Sequence, residues 1–201
     1  MSQGYWLDTN AYYLLYQPRA GDIAKRLISR LTNGGIIRCS ISEMTSLEIH
    51  SVLGKYARAQ PAISIACDRR VENQSGIESC NHRWLPTVRV RIKPPLLKHL
   101  HKLIHDAEQE RGTLQVRVHS VPPTAFSRAS QYLLQHARRI PICSHDALIA
   151  ACFAEAQASG KLGSIRFVTS DRGLKRMLEE EGIPHYDPQT DIEWSPPLAP
   201  S

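Results

Sequence analysis

No stretch of this chain approaches the roughly 18–20 consecutive apolar residues that cross a bilayer as a helix, so a helical membrane span is excluded and no membrane partner is expected. Met1 to Leu7 lacks a basic segment followed by an apolar one, and no secretory signal is expected there. Cysteine is sparse and odd in number: five residues, at 39, 67, 80, 143 and 152, do not make a disulfide framework. A reducing cytoplasm is therefore the expected compartment. There is no internal repeat and no low-complexity tract, which excludes solenoids and tethers. With 42% hydrophobic and 22% charged residues, the composition is that of a packed domain rather than a disordered chain.

Acidic residues are the minority charge. Nineteen Asp and Glu face 25 Lys and Arg, giving a formal charge of +6, and the balance favours an anionic partner. The excess is local. Between 58 and 105 lie nine basic residues (Arg58, Arg69, Arg70, Arg83, Arg89, Arg91, Lys93, Lys98, Lys102) against Asp68, Glu72 and Glu78. That segment alone carries the whole formal excess, and the remainder is close to neutral.

Short apolar runs alternating with longer helical patterns predict an α/β fold with a parallel sheet. Strands are expected at Gly4–Leu7, Ile36–Cys39, Leu114–Val118, Ile165–Val168 and Pro184–Tyr186. Helices are expected at about 10–16, 21–32, 43–58, 95–111, 124–137, 145–158 and 172–180. A turn is expected at Asn33-Gly34-Gly35. Residues 1–190 are expected to form one domain. From 60 to 93 the period is lost, and this reads as a basic insertion after the third helix. Residues 191–201, proline-rich toward the end, are expected to be a flexible tail.

Four acids stand where an α/β sheet places ligands, outside the carboxyl ends of its strands. Asp8 follows the first strand and Asp171 follows the strand at 165–168. Either position also suits a helix N-cap. At about 100° per residue Glu48 shares an arc with Met44 and Val52, continued by Ile49, Leu53 and Tyr56, while Glu43 points away. An inward carboxylate is costly unless it is paired or binds a cation. Asp146 shares a stripe with Ile149, Ala150 and Phe153 behind a Ser144 cap, where the helix dipole alone would also favour an acid. Clustered carboxylates repel unless a hard divalent cation neutralises them, and an oxygen-only donor set favours Mg²⁺ or Mn²⁺ over Zn²⁺. Such ions lower the pKa of a bound water and clamp phosphate oxygens, as phosphodiester hydrolysis requires.

Four blocks carry a resemblance: Trp6-Leu7-Asp8-Thr9-Asn10, Ile41-Ser42-Glu43-Met44-Thr45-Ser46-Leu47-Glu48, Ser144-His145-Asp146-Ala147-Leu148-Ile149-Ala150-Ala151 and Phe167-Val168-Thr169-Ser170-Asp171-Arg172-Gly173. In these blocks and their order the chain resembles PIN-domain ribonucleases of the kind that act as the toxin of VapBC-type toxin–antitoxin pairs. The resemblance spans roughly 1–58 and 112–187. It implies a three-layer α/β/α sandwich around a parallel sheet, and an acidic metal site of Asp8, Glu48, Asp146 and Asp171 supported by Asn10 and Thr169. It further implies RNA cleavage with Mg²⁺ or Mn²⁺, leaving a 5′-phosphate and a 3′-hydroxyl. The expected partners are RNA, single-stranded or looped, together with an antitoxin protein and a second copy of the chain. The chain departs from compact toxins in its extra length, which falls in the basic insertion.

Within that insertion Arg89-Val90-Arg91-Ile92-Lys93 alternates basic and apolar residues. On an extended strand this puts three cations on one face, read here as a phosphate-contacting ribbon or as a charged edge strand. Cys67 and Cys80-Asn81-His82 lack the second pair that a zinc knuckle needs. His99, His101 and His105 read as a solvated basic face. Cys143 and Cys152 do not share one exposed face with a basic partner, so a thiol nucleophile is not expected. His145 beside Asp146 lacks the nucleophile elbow of a hydrolase triad. Two rival functions remain: a PIN-like scaffold that binds without cutting, and a haloacid-dehalogenase-type phosphatase, whose Asp-x-Asp signature is spoiled here by Asn10.

Overall fold

Side-chain alternation along the first strand, β1 (Gly4–Leu7), decides the layering. Trp6 points to one face of the sheet and Tyr5 and Leu7 to the other, and all three are buried. The computed structural model describes residues 4–16, 21–58, 65–66, 70–73, 76–79, 83–84, 92–160 and 164–190. Within them α1 (Thr9–Leu14), α2 (Asp22–Leu31), β2 (Thr32–Asn33), β3 (Ile36–Ser42) and α3 (Glu43–Ala57) follow β1. Short strands β4 (Ile65–Ala66), β5 (Arg70–Asn73), β6 (Gly76–Ser79) and β7 (Arg83–Trp84) come next, then α4 (Pro94–Glu108) and β8 (Leu114–His119). The chain continues through α5 (Pro123–His136), α6 (Ser144–Ala158), β9 (Ile165–Val168), α7 (Arg172–Glu180) and β10 (His185–Tyr186).

Five strands run parallel in the order β10–β9–β1–β3–β8, and β2 lies antiparallel to the start of β3. One core packs Trp6, Ile165 and Phe167 against α5, α6 and α7. The other packs Tyr5, Leu7, Ile41, Val116 and Val168 against α1, α2, α3 and α4. This is the expected three-layer sandwich. The middle of α6 is apolar on all sides, with Ala147 to Phe153 all buried between the sheet and its neighbouring helices. The Phe153 ring packs nearly perpendicular to both Trp6 and Phe167, at 5.9 and 5.4 Å between ring centroids.

The strand expected at Ile36–Cys39 runs on to Ser42, because β8 pairs with it from Ile37 through to Ser42↔His119. Thr32 leaves the expected helix. It pairs back onto β3 across Gly34 and Gly35, whose φ values of 59° and 80° suit a tight two-residue hairpin turn. The parts of the insertion that are described form two antiparallel pairs, β4 with β7 and β5 with β6. Arg89 and Arg91, like Cys67, Cys80 and His82 and the tail 191–201, lie outside the described residues. Lys93 is exposed and is the N-cap of α4 rather than part of a strand. The preceding Ile92 N–H donates to the Tyr56 carbonyl at 3.0 Å, tying the end of the insertion to α3. Cys143, not Ser144, caps α6. Among the described residues no helix is long and apolar enough to cross a membrane.

Candidate active site

Each parallel strand delivers its chain to the same edge of the sheet, and α1, α3 and α7 start there within a residue or a short turn of β1, β3 and β9. Their N-terminal ends carry partial positive charge toward that edge, which favours acids there.

Asp8 is the N-cap of α1 and is only 4% exposed. Its Oδ1 accepts the Ala11 N–H at 2.6 Å, and its Oδ2 accepts the Thr169 hydroxyl at 2.5 Å. Burial pushes its carboxyl pKa up to about 7, against the lowering effect of those two bonds, and the fields of Asp146 and Asp171 add to the rise. Asp171 is the N-cap of α7, where Oδ1 accepts the Leu174 N–H at 2.8 Å. Its own N–H donates to Thr169 Oγ1 at 3.0 Å. Thr169, fully buried, is thus the bridge between the two aspartates. Asp146 reaches back from the first turn of α6 to accept the Cys143 N–H at 3.1 Å. The capping and the site readings of these aspartates are therefore compatible: Asp8 and Asp171 cap their helices, Asp146 bonds back to the Cys143 cap, and the charges of Asp146 and Asp171 still act on Asp8.

Glu48 sits half-buried on α3, where the helical arc puts it, and accepts the Thr9 hydroxyl at 2.6 Å. It does not figure among the groups that shift Asp8. Glu43, on the other side of α3, is exposed and accepts the Val121 N–H at 3.0 Å. Asn10 is exposed in the first turn of α1. The structure therefore bonds Thr169 to both Asp8 and Asp171, sets Asp146 near enough for its charge to act on Asp8, and joins Glu48 to Thr9, the residue next to Asp8. The donors suit a hard cation in kind, being carboxylate and hydroxyl oxygens around a carboxyl that burial, with smaller contributions from Asp146 and Asp171, keeps protonation-prone. They are not drawn into a closed cage, since among the described residues no three His, Cys, Asp or Glu side chains stand close enough together to hold one ion.

Two contributors escape a linear reading. Thr9 is one; nothing in the sequence ties it to a residue 39 positions on. Asp187 is the other, a fifth acid at this edge, just past β10 and 2% exposed. Its position after a strand, like that of Asp8, was the available signal. It accepts from Lys175 Nζ, from the Ser170 hydroxyl at 2.7 Å and from the Gln189 N–H at 2.8 Å. Burial alone would raise its pKa, but these partners bring it below the usual value, so it is an ionised brace between α7 and β10. The histidines of α4 also divide. His99 and His105 are exposed as expected, but His101 is half-buried and stacks on His50 at 5.0 Å, with Nδ1 atoms 2.9 Å apart. Its contact with His50 of α3 takes it off the solvated face. Cys143 is exposed and Cys152 buried, which leaves no shared thiol site.

No family model matches the chain, and no curated protein sequence matches it. Solved structures do match in shape. A chain of FitAcB from Neisseria gonorrhoeae superposes with a TM-score of 0.53 at 13% identity, over 92% of this chain and 99% of that one. DNA-bound VapBC from Salmonella typhimurium gives 0.52 at 15%, over 92% and 98%. VapBC2 from Rickettsia felis, bound to a DNA fragment from its promoter, gives 0.52 at 12%, over 91% and 97%. At such identities the likeness is one of fold. The chain has a PIN-like α/β fold with a central, mostly parallel sheet.

Proposed function

We propose that this chain is a metal-dependent endoribonuclease acting through Asp8, Glu48, Asp146 and Asp171, with Mg²⁺ or Mn²⁺ as cofactor. The observation that carries the reading is the buried Asp8 carboxyl, pushed to about 7 beside Asp146 and Asp171 at the carboxyl edge of a PIN-like sheet. A fold could cap α1 with a neutral Ser or Asn, so a buried acid next to two others is an arrangement that a cation would relieve. A divalent ion bound there supplies an acidified water and neutralises phosphate charge. The chain's own residues do the rest. Thr169 and the Ala11 N–H orient the Asp8 carboxylate, Cys143 and Leu174 N–H groups orient Asp146 and Asp171, and Thr9 orients Glu48. Single-stranded or looped RNA fits such an edge better than a duplex, and the cations of the insertion, Arg89, Arg91 and Lys93, are the groups proposed to hold its backbone.

We also propose an antitoxin partner, by analogy with the VapBC assemblies that share the fold. A basic side chain inserted among these acids would be attracted by their field. The uncaged arrangement of the acids favours one alternative, a PIN-like scaffold that binds and does not cut. Incubating mixed RNA with and without Mn²⁺, beside a phosphomonoester, separates the readings. Metal-dependent RNA fragments with 5′-phosphates support the nuclease; binding without fragments supports the scaffold; and phosphomonoester turnover alone supports neither. Growth arrest on expression of the chain alone, relieved by the product of a neighbouring gene, tests the toxin role separately.

A further inference from the structure

The same edge of the sheet, on the face that carries Trp6, also holds a hollow of about 410 Å³ between the end of β8 and the second half of α6. That volume falls within the range of small-ligand sites. His119 is its fixed element. The ring stacks on Trp6 with centroids 4.9 Å apart and planes 28° from parallel, and Trp6 is itself fully buried and braced by Phe153. Ser40 Oγ lies 3.2 Å from His119 Nε2 and sets the ring's orientation. One face of the imidazole is covered, and the ring also lines the hollow. Burial, with Arg117 beside it, lowers the His119 pKa, so the ring is uncharged at neutral pH.

The walls are chemically uneven. Arg117 brings a guanidinium whose side chain is 66% exposed, its partner Glu110 standing 3.9 Å away. A pair so exposed is weak and yields readily to a better anion. Ala156 contributes an apolar surface. Glu155 also lines the hollow, but it already accepts the Thr124 hydroxyl at 2.7 Å and Arg128 Nε at 2.6 Å, so its charge is compensated. Strand register relates the hollow to the acids. Trp6 pairs with Ser40 and Ser42 with His119, so Asp8, two residues past Trp6, lies level with His119 two strands away. At 4.7–4.9 Å per strand that is a separation on the order of 10 Å.

We propose that this hollow is a nucleotide subsite, in which a base stacks on His119 and its phosphate meets Arg117. A flat neutral ring fixed from behind, with a cation at the rim, suits a base and its phosphate together. In an RNA substrate the stacked nucleotide would hold the strand so that a neighbouring phosphodiester reaches Asp8. That role rests on the nuclease reading above; the ligand class does not.

The probes are the four ribonucleoside 5′-monophosphates, titrated by calorimetry into the full chain without added metal. Cleavage of a labelled single-stranded RNA with Mn²⁺ is followed alongside. Arg117→Ser removes the cation at an exposed position where folding is not at stake, and Ala156→Phe fills the hollow. The expected result is that at least one nucleotide binds and that Arg117→Ser weakens it by about tenfold or more. Ala156→Phe should weaken it as well if that variant folds, and KM for RNA should rise by more than kcat falls. Absence of binding by all four nucleotides, or binding untouched by Arg117→Ser, overturns the subsite. Nucleotide binding in a chain that cleaves no RNA leaves the subsite standing and removes the nuclease reading. Cleavage with KM unchanged in both variants does the reverse.

Discussion

Thr169 donates its hydroxyl to Asp8 Oδ2 at 2.5 Å across 161 residues of sequence, and Thr169 Oγ1 also accepts the backbone N–H of Asp171 at 3.0 Å. One small side chain therefore sets the spacing of two acids that come from opposite ends of the chain. It can do so because β1 and β9 are neighbours in register, with Leu7 opposite Val168, so the residues that follow them emerge side by side.

The raised pKa of Asp8 has a signed consequence for stability. The folded state holds this proton more tightly than the unfolded chain, whose carboxyl keeps the ordinary value of 3.8. The associated stabilisation is complete below about pH 4 and is lost as pH rises through about 7. Asp8→Asn, which mimics the protonated acid, should lack that decline and be more stable than wild type at pH 8 by on the order of 2–4 kcal/mol. Urea denaturation of both proteins at pH 5 and pH 8 measures the difference. An identical pH dependence would show that Asp8 is not held protonation-prone.

Cation binding should appear as stabilisation. Mn²⁺ at about 100 times its dissociation constant adds about 2.7 kcal/mol to a protein that binds it only when folded. Wild type should gain Tm on adding Mn²⁺ at pH 7.5, while Asp8→Asn and Asp146→Asn gain much less. Both variants, and Asp171→Asn, should fold and lose RNA cleavage, because Asn still accepts the capping bonds. Equal Mn²⁺ shifts in all four proteins would place the ion elsewhere.

Thr169→Val keeps the shape and removes the bridge. The Asp8 carboxylate loses a bond that lowers its pKa, and the Asp171 N–H loses its acceptor. Stability should fall by about 1–3 kcal/mol, and the pH at which Asp8 titrates should rise further. Thr169→Ser should restore most of both. A Val variant with an unaltered titration would mean that the hydroxyl does not control Asp8.

Gly173 is indispensable for a steric reason. A Cβ there would stand 2.2 Å from the Pro141 carbonyl oxygen and 3.3 Å from Asp171 Oδ1. Gly173→Ala should therefore push α7 away from the Pro141 loop, lower the thermal midpoint, and disturb the Asp171 cap. Gly54→Ala, with open space around its Cβ, is the control and should be neutral or mildly stabilising. Equal midpoints for the two variants would remove the packing argument.

Replacing Arg89, Arg91 and Lys93 with Ser should weaken RNA binding and flatten its salt dependence by roughly 0.7 per lost phosphate contact on a single strand. Cleavage at saturating RNA should fall less. An unchanged slope of log affinity against log salt would mean that these cations do not contact the RNA backbone.

Much of the architecture was legible because its determinants are local. Strands at Gly4–Leu7 and Ile165–Val168 announce themselves by short apolar runs, and the helices by apolar positions three and four apart. Asp8 and Asp171 stood out because they end strands, and Glu48 because a carboxylate interrupted an apolar arc. Where reading failed locally, a neighbour had overruled propensity: β8 drew β3 out to Ser42, and a Gly-Gly turn folded Thr32 back onto it.

Sequence alone thus determined the five parallel strands and seven helices of the sandwich, their order, and the acids Asp8 and Asp171 after two of the strands, since each follows from a few consecutive residues and their backbone preferences. The tertiary structure decided who meets whom. The strand order β10–β9–β1–β3–β8 is not the chain order, and it places Thr169 on Asp8, Lys175 on Asp187 and His119 on Trp6, while the packing of α4 on α3 places His101 on His50. It also decided the chemistry of Asp8. A carboxyl's affinity for its proton depends on the water excluded around it and the charges brought near it, and both are properties of the folded packing.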